Sequence, residues 1–226
     1  MSQSIKVARY HLVFPFILVI APWAVLAFTF VVNLIPTVIQ GGPNPTKALA
    51  SIFAFMAFAG ALTMIRSLPF ALAIGASRRS FYLGTVVLVV ALAAVYGLAI
   101  AGLQALERAT GGWGVSMYYF EPQYILTGAW YLTWLSSFVG LVLLFIYGTW
   151  FGLVQRRWDT IGLLVFVFGQ LILAFIAIYI ISGDHGWHSV GHFFTVVTAA
   201  GLTGLLAALA AVLCAGGFAL ARGVTV

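Results

Sequence analysis

From Ile161 to Ile181 the chain carries no charged residue, and the Gln170 amide and Tyr179 hydroxyl are the only polar side-chain groups. Runs of this kind recur along the sequence, and they decide what it can fold into. A helix of ~20 apolar residues crosses a bilayer and satisfies its backbone hydrogen bonds internally. Composition agrees: 64% of the 226 residues are hydrophobic and 6% are charged, against roughly 25% charged in an ordinary soluble domain. A soluble chain of this size could not cover that much apolar surface. The expected fold class is an all-α integral membrane protein, with residues 1–226 forming a single transmembrane domain. The one cysteine, Cys214, excludes an internal disulfide and a multi-cysteine metal site. The net charge of +6 is scattered between the apolar runs. It therefore reads as a topology signal and not as a nucleic-acid surface.

Six spans are expected, at about 12–39, 48–65, 82–106, 130–154, 161–181 and 194–220. The first is too long for a cleaved signal peptide, whose apolar core is usually ~7–15 residues. Met1 to His11, with Lys6 and Arg9, forms a short amphipathic lead. Pro15, Pro22 and Pro36 predict kinks or a break in the first span. Gly41-Gly42-Pro43-Asn44-Pro45 is a turn. The longest loop, 107–128, carries Trp113, Tyr118, Tyr119, Phe120 and Tyr124. Rings with polar tips favour the headgroup level, so this loop is expected on the membrane surface.

With the N-terminus inside, Lys6, Arg9, Arg66, Arg78, Arg79, Arg156, Arg157 and Arg222 are cytoplasmic, which is eight of the ten basic residues. Lys47 and Arg108 face outward. This bias places both termini in the cytoplasm. No span holds a charge near its middle, unlike most ion-driven carriers. The buried polar groups are Asn33, Thr63, Tyr96, Gln104, Ser136, Ser137, Tyr147 and Gln170, most of which serve as interhelical hydrogen-bonding groups. Of these, Asn33, Gln104 and Gln170 are the candidates for lining a substrate path. Gly148-Thr149-Trp150-Phe151-Gly152 has the GxxxG spacing of a close helix contact, within a bundle or a dimer. Lys6 and Lys47 are the only lysines, and neither sits in a phosphate-binding loop. Any energy from ATP must come from another chain.

The stretch from Arg66 to Gly84 joins the second and third spans and holds Arg66, Arg78 and Arg79. Phe70, Ile74, Ser77 and Phe81 follow i, i+4, i+7, i+11 and would share one face of a helix. That predicts a docking surface for a cytoplasmic partner. The competing reading is a tight turn, with Gly75 as helix stop and Ser77 as N-cap. Six spans, a short basic lead, and Ala73-Ile74-Gly75-Ala76-Ser77-Arg78-Arg79-Ser80-Phe81 in the first inner loop together resemble the membrane subunit of a bacterial ABC exporter, in the small class whose ATPase is a separate polypeptide. The resemblance implies that Phe70, Ile74, Gly75, Ser77, Arg78, Arg79 and Phe81 form the ATPase-coupling segment. The second inner loop would supply Arg156, Arg157 and Asp159. It also implies ATP and magnesium on partner nucleotide-binding subunits, a second copy or paralogue of the permease, and the bacterial plasma membrane as location. This chain itself is then not an enzyme and holds no cofactor. An apolar path would suit a lipid, an amphipathic peptide or a hydrophobic drug. The chain departs from many relatives in having its longest outer loop between spans three and four.

Two other readings stand beside this one. Asp184, His185, His188 and His192 would bring three imidazoles to one helical face, a set that zinc accepts with an open position, which reads as a membrane-embedded metal-binding protein or enzyme. Gly183, Gly186 and Gly191 weaken such a helix. A non-transporting immunity or sensor subunit fits the lack of soluble mass equally well.

Overall fold

The computed structural model describes residues 16–40, 44–45, 48–120, 129–183 and 186–222. The amphipathic lead before residue 16, and with it Lys6, Arg9 and Pro15, lies outside the described residues. A π-helical turn, Phe16–Ile20, leads into α1, Ala21–Gln40. Helix α2, Ala50–Leu62, continues through a second π-turn, Thr63–Ser67, into α3, Leu68–Ala73. Helix α4 is Arg78–Ala109, α5 is Trp130–Ile181, α6 is Gly186–Val196 and α7 is Ala199–Arg222. Two short segments, β1 (Asn44–Pro45) and β2 (Met117–Tyr118), pair in parallel with Asn44 opposite Met117 and Pro45 opposite Tyr118. Among the described residues, five helical stretches are long and apolar enough to cross a membrane: Leu18–Ile39, Ala50–Ala73, Arg78–Ala109, Trp130–Ile181 and Ala199–Ala221.

The longest of these does not run straight. Asp159 has φ 58° and ψ −162°, outside the helical region. The Phe151 and Phe166 ring centroids are 5.2 Å apart, where one straight helix would hold them ~22 Å apart at 1.5 Å rise per residue. The Tyr147 hydroxyl donates to Gln170 Oε1 at 2.6 Å across the same fold. Residues 130–158 and 160–181 are thus two antiparallel arms that turn at Asp159. Gly162 permits the turn, because a Cβ there would collide with Trp158 Cβ.

The first arm is the centre of the bundle. Its Trp134 indole donates to Ala94 O of α4 at 3.1 Å, and its Trp150 indole donates to Leu213 O of α7 at 3.1 Å. Against α2 it packs through glycine. A Cβ on Gly148 would strike Ala57 O, and one on Gly152 would lie 2.6 Å from Ala61 O. The GxxxG pair is therefore used inside the chain, where it lets two backbones meet. Ile52, Met56, Val89, Ala93, Leu141 and Phe145 fill the core between α2, α4 and this arm. The second arm lies at the edge, with every residue from Leu171 to Ile180 exposed.

Several boundaries differ from the sequence reading. The second helix does not stop at Ile65 but runs to Ala73, because Pro69 sits in the first turn of α3, where a missing N–H is tolerated. The third begins at Arg78, under a Ser77 cap, and ends at Ala109. The last begins at Ala199, with the Thr198 hydroxyl accepting from the Gly201 N–H at 3.2 Å. The stretch before it, expected as a loop, is helix α6 despite its glycines.

Candidate functional site

Two ends of the bundle gather the chemically distinctive residues. At one end α3 closes through Ile74, Gly75 at φ 86°, and Ala76, after which Ser77 opens α4. Ser77 Oγ accepts from the Ser80 N–H at 3.1 Å, as an N-cap does. The single helix carrying Phe70, Ile74, Ser77 and Phe81 on one face is not formed, because the positive φ at Gly75 ends α3. Phe70 and Ile74 are 49% and 61% exposed, whereas Phe81 is 0% exposed and packs with Leu68 and Tyr82. Arg79 is exposed and Arg78 half-buried.

The turn between the arms of α5 meets this end. Arg156 donates through Nε to Ile65 O at 3.1 Å and through a second guanidinium nitrogen to the same oxygen. In an α-helix that carbonyl would receive the N–H of residue 69, which is a proline. Arg156 thus donates to a carbonyl that Pro69 cannot serve and ties the π-turn Thr63–Ser67 to the end of the first arm of α5. The Arg157 guanidinium lies 4.8 Å from the Trp158 ring centroid, and Trp158 is half-exposed. Asp159, at the turn itself, is exposed.

The polar residues considered for a substrate path are not brought together. Asn33 Nδ2 donates to Thr29 O of its own helix at 2.7 Å. Gln104 Oε1 accepts from the Thr133 hydroxyl at 2.7 Å, and its Nε2 donates to Phe120 O at 3.1 Å. Gln170 serves the hairpin. Asp184 and His185 lie outside the described residues. His188 and His192 are exposed on α6, and no group of three metal-ligating side chains occurs among the described residues. Ser137, fully buried, has no hydrogen-bond partner for its hydroxyl among the described residues.

The opposite end holds the residues that sequence reasoning missed. Glu107, in the last turn of α4, is 0% exposed. Its Oε2 accepts from the Trp113 indole at 2.9 Å, the Tyr119 N–H at 2.8 Å and the Phe120 N–H at 3.0 Å. A buried carboxylate needs such charge-assisted partners. The strap 110–120 folds over it. Tyr119 and Phe120 are 0% and 3% exposed, so the aromatic stretch is not spread on the membrane surface as expected. The Tyr119 hydroxyl reaches between α1 and α2, sharing a 2.6 Å hydrogen bond with Thr29 Oγ1 and donating to Leu26 O at 3.2 Å. Thr29 in turn bonds Ser51 Oγ at 3.1 Å. Burial pushes the Tyr119 phenol above its ordinary value, partly offset by its bonds to Thr29 and Ser51. Phe30 stacks edge-on to Trp113 and Tyr119 at 5.1 and 5.3 Å. Trp113 and Ser116 adopt positive φ, 62° and 57°, a conformation that costs roughly 1–2 kcal/mol for an L residue. The available signal was an acid directly after an apolar run, followed by glycines and aromatics. Glu121 and Tyr124 lie outside the described residues.

Comparison with protein-family models, with curated proteins and with solved structures finds no match.

Proposed function

We propose that this chain is the membrane subunit of an ATP-driven transporter, with six crossings, counting the two arms of α5 separately, and both termini in the cytoplasm of a bacterial cell. The carrying observation is the Arg156–Ile65 bond, which joins the π-turn Thr63–Ser67, just before α3, to the end of the first arm of α5, just before Asp159. A partner that pushes on α3 acts on the first arm of α5 through this bond. Phe70, Ile74, Arg79 and Arg157 are exposed at this end and form the contact, while Phe81 belongs to the core and does not. The chain has no phosphate-binding loop, so ATP and magnesium act on a separate nucleotide-binding subunit. The permease works with a second copy or a paralogue. The substrate is hydrophobic or amphipathic, in keeping with the absence of charge midway along the helices.

The test is affinity purification from native membranes after mild detergent extraction. A soluble ATPase with a phosphate-binding loop should co-purify, and hydrolysis should require it. The Phe70→Ala/Ile74→Ala double variant should weaken that association by ~1–3 kcal/mol, as lost apolar anchors do. Recovery of the chain with no nucleotide-binding partner would remove the reading.

A further inference from the structure

Besides pairing with β1, the strap 110–120 bonds directly to α1 and α4 and reaches α2 and α5 through them, so its hold on the helices passes through few groups. Glu107 of α4 accepts hydrogen bonds from three donors of the strap, at Trp113, Tyr119 and Phe120, the last shared between both carboxylate oxygens. The Tyr119 hydroxyl reaches α1 directly, and α2 through Thr29 and Ser51. Phe120 O reaches α5 through Gln104 and Thr133. The donors to the Glu107 carboxylate, among the described residues, all come from the strap.

We propose that this strap is the outer gate of the transport path, held shut by Glu107 and opening as one unit. The inference rests on the transporter reading. A carboxylate at this depth has two satisfied states: closed, with N–H donors around it, and open, with water around it. Partial opening strips donors before water can enter and leaves a buried charge unpaired, which is the costly condition. The strap therefore moves whole. Its backbone favours release, because Trp113 and Ser116 are held at positive φ, a region that Gly111, Gly112 and Gly114 occupy without strain. Strain of this kind persists only where surrounding contacts impose it, and it gathers at switching segments. Withdrawal carries Tyr119 out from between α1 and α2 and uncovers the ends of α1, α2, α4 and the first arm of α5. The aromatic cluster is a seal and not a ligand cage, since its rings already touch at 4.8 Å between Tyr119 and Phe120.

The experiment measures opening without any partner. In the full chain, with Cys214→Ser, a reporter is placed in the strap by Met117→Cys and a core control by Ala93→Cys; both positions are 0% exposed. Each protein is treated with a maleimide in detergent micelles, where both faces meet the reagent. The strap cysteine should react faster than the core cysteine. Glu107→Gln should accelerate the strap cysteine by about tenfold or more, as the loss of charge-assisted bonds from the closed state requires, with the core cysteine unchanged. Tyr119→Phe, which keeps the ring, should accelerate it less. An unchanged strap rate in both variants would overturn the latch. Equal acceleration of both cysteines would also overturn it, because it reports unfolding of the whole bundle. Absence of an ATPase partner leaves this result standing, and a strap that never opens leaves the ATPase contact standing, so the two readings fail separately.

Discussion

The Tyr96 hydroxyl donates a 2.6 Å hydrogen bond to the carbonyl oxygen of Leu18, a residue 78 positions earlier in the chain. In an α-helix that carbonyl would receive the N–H of residue 22, and residue 22 is a proline. Arg156 does the same for Ile65, which Pro69 deprives of its donor. Both prolines stand near π-helical turns, Phe16–Ile20 and Thr63–Ser67. A carbonyl that loses its i+4 donor is costly to leave bare where it is buried, as at Leu18, and a side chain from a neighbouring helix is one remedy. Prolines that look like breaks in the sequence are here the points where distant helices are joined.

Tyr96→Phe should therefore cost about 1 kcal/mol, the usual worth of one such bond, while keeping the edge contact with Trp23. Pro22→Ala restores the missing N–H. In that background the same Tyr96→Phe change should cost measurably less, by thermal unfolding in micelles. Equal costs in the two backgrounds would show that the hydroxyl does not act through the Leu18 carbonyl.

Asp159 holds φ 58° at the hairpin turn, where glycine is at ease. Asp159→Gly should stabilise the protein by about 1 kcal/mol, or leave it unchanged if gained chain entropy offsets the relief. Tyr147→Phe and Gln170→Leu should each cost ~0.6 kcal/mol, the average for a hydrogen bond between membrane helices. The double variant should cost less than the sum, because both remove the same bond. Strict additivity would contradict the closed hairpin.

Two glycines of α5 should respond in opposite ways. Gly148→Ala drives a Cβ into Ala57 O and should cost several kcal/mol, on the order of other large core disruptions. Gly169, on the second arm, has nothing within 4 Å of a Cβ. Gly169→Ala should stabilise by up to ~1 kcal/mol through helix propensity. Thermal melts of the pair decide it; a tolerated Gly148→Ala would mean that α2 and the first arm do not pack backbone to backbone.

Sidedness follows from single cysteines in a Cys214→Ser chain. Ser77 and Thr160 are exposed at one end, and Thr110 and Ser182 at the other. An impermeant thiol reagent applied to intact cells should label cysteines at Thr110 and Ser182 and spare those at Ser77 and Thr160. The reverse pattern would invert the orientation and move the proposed ATPase contact to the wrong side of the membrane.

The long apolar helices were legible residue by residue. Hydropathy is local, and a run such as Ile161–Ile181 declares itself without knowledge of its neighbours. Gly75 and Ser77 likewise announced a helix stop and a cap, because capping is settled within a few residues. The stripe Phe70–Ile74–Ser77–Phe81 misled for the same local reason: its spacing assumes one helix, and Gly75 at φ 86° ends that helix. Glu107 read as an acid in an outer loop, and the aromatic run after it as an interfacial belt.

The partners of these groups were decided only by the tertiary structure. Whether Glu107 meets water or the N–H groups of Tyr119 and Phe120 depends on how the strap returns over α4. Which helix fills the groove of Gly148 and Gly152, and which side chain replaces the donor lost at Pro22 or Pro69, depends on residues up to 91 positions apart. An apolar run forms its helix alone, since every backbone bond it makes lies within four residues. The pairing of buried polar groups between helices is a relation across the chain, and no window of sequence contains both members.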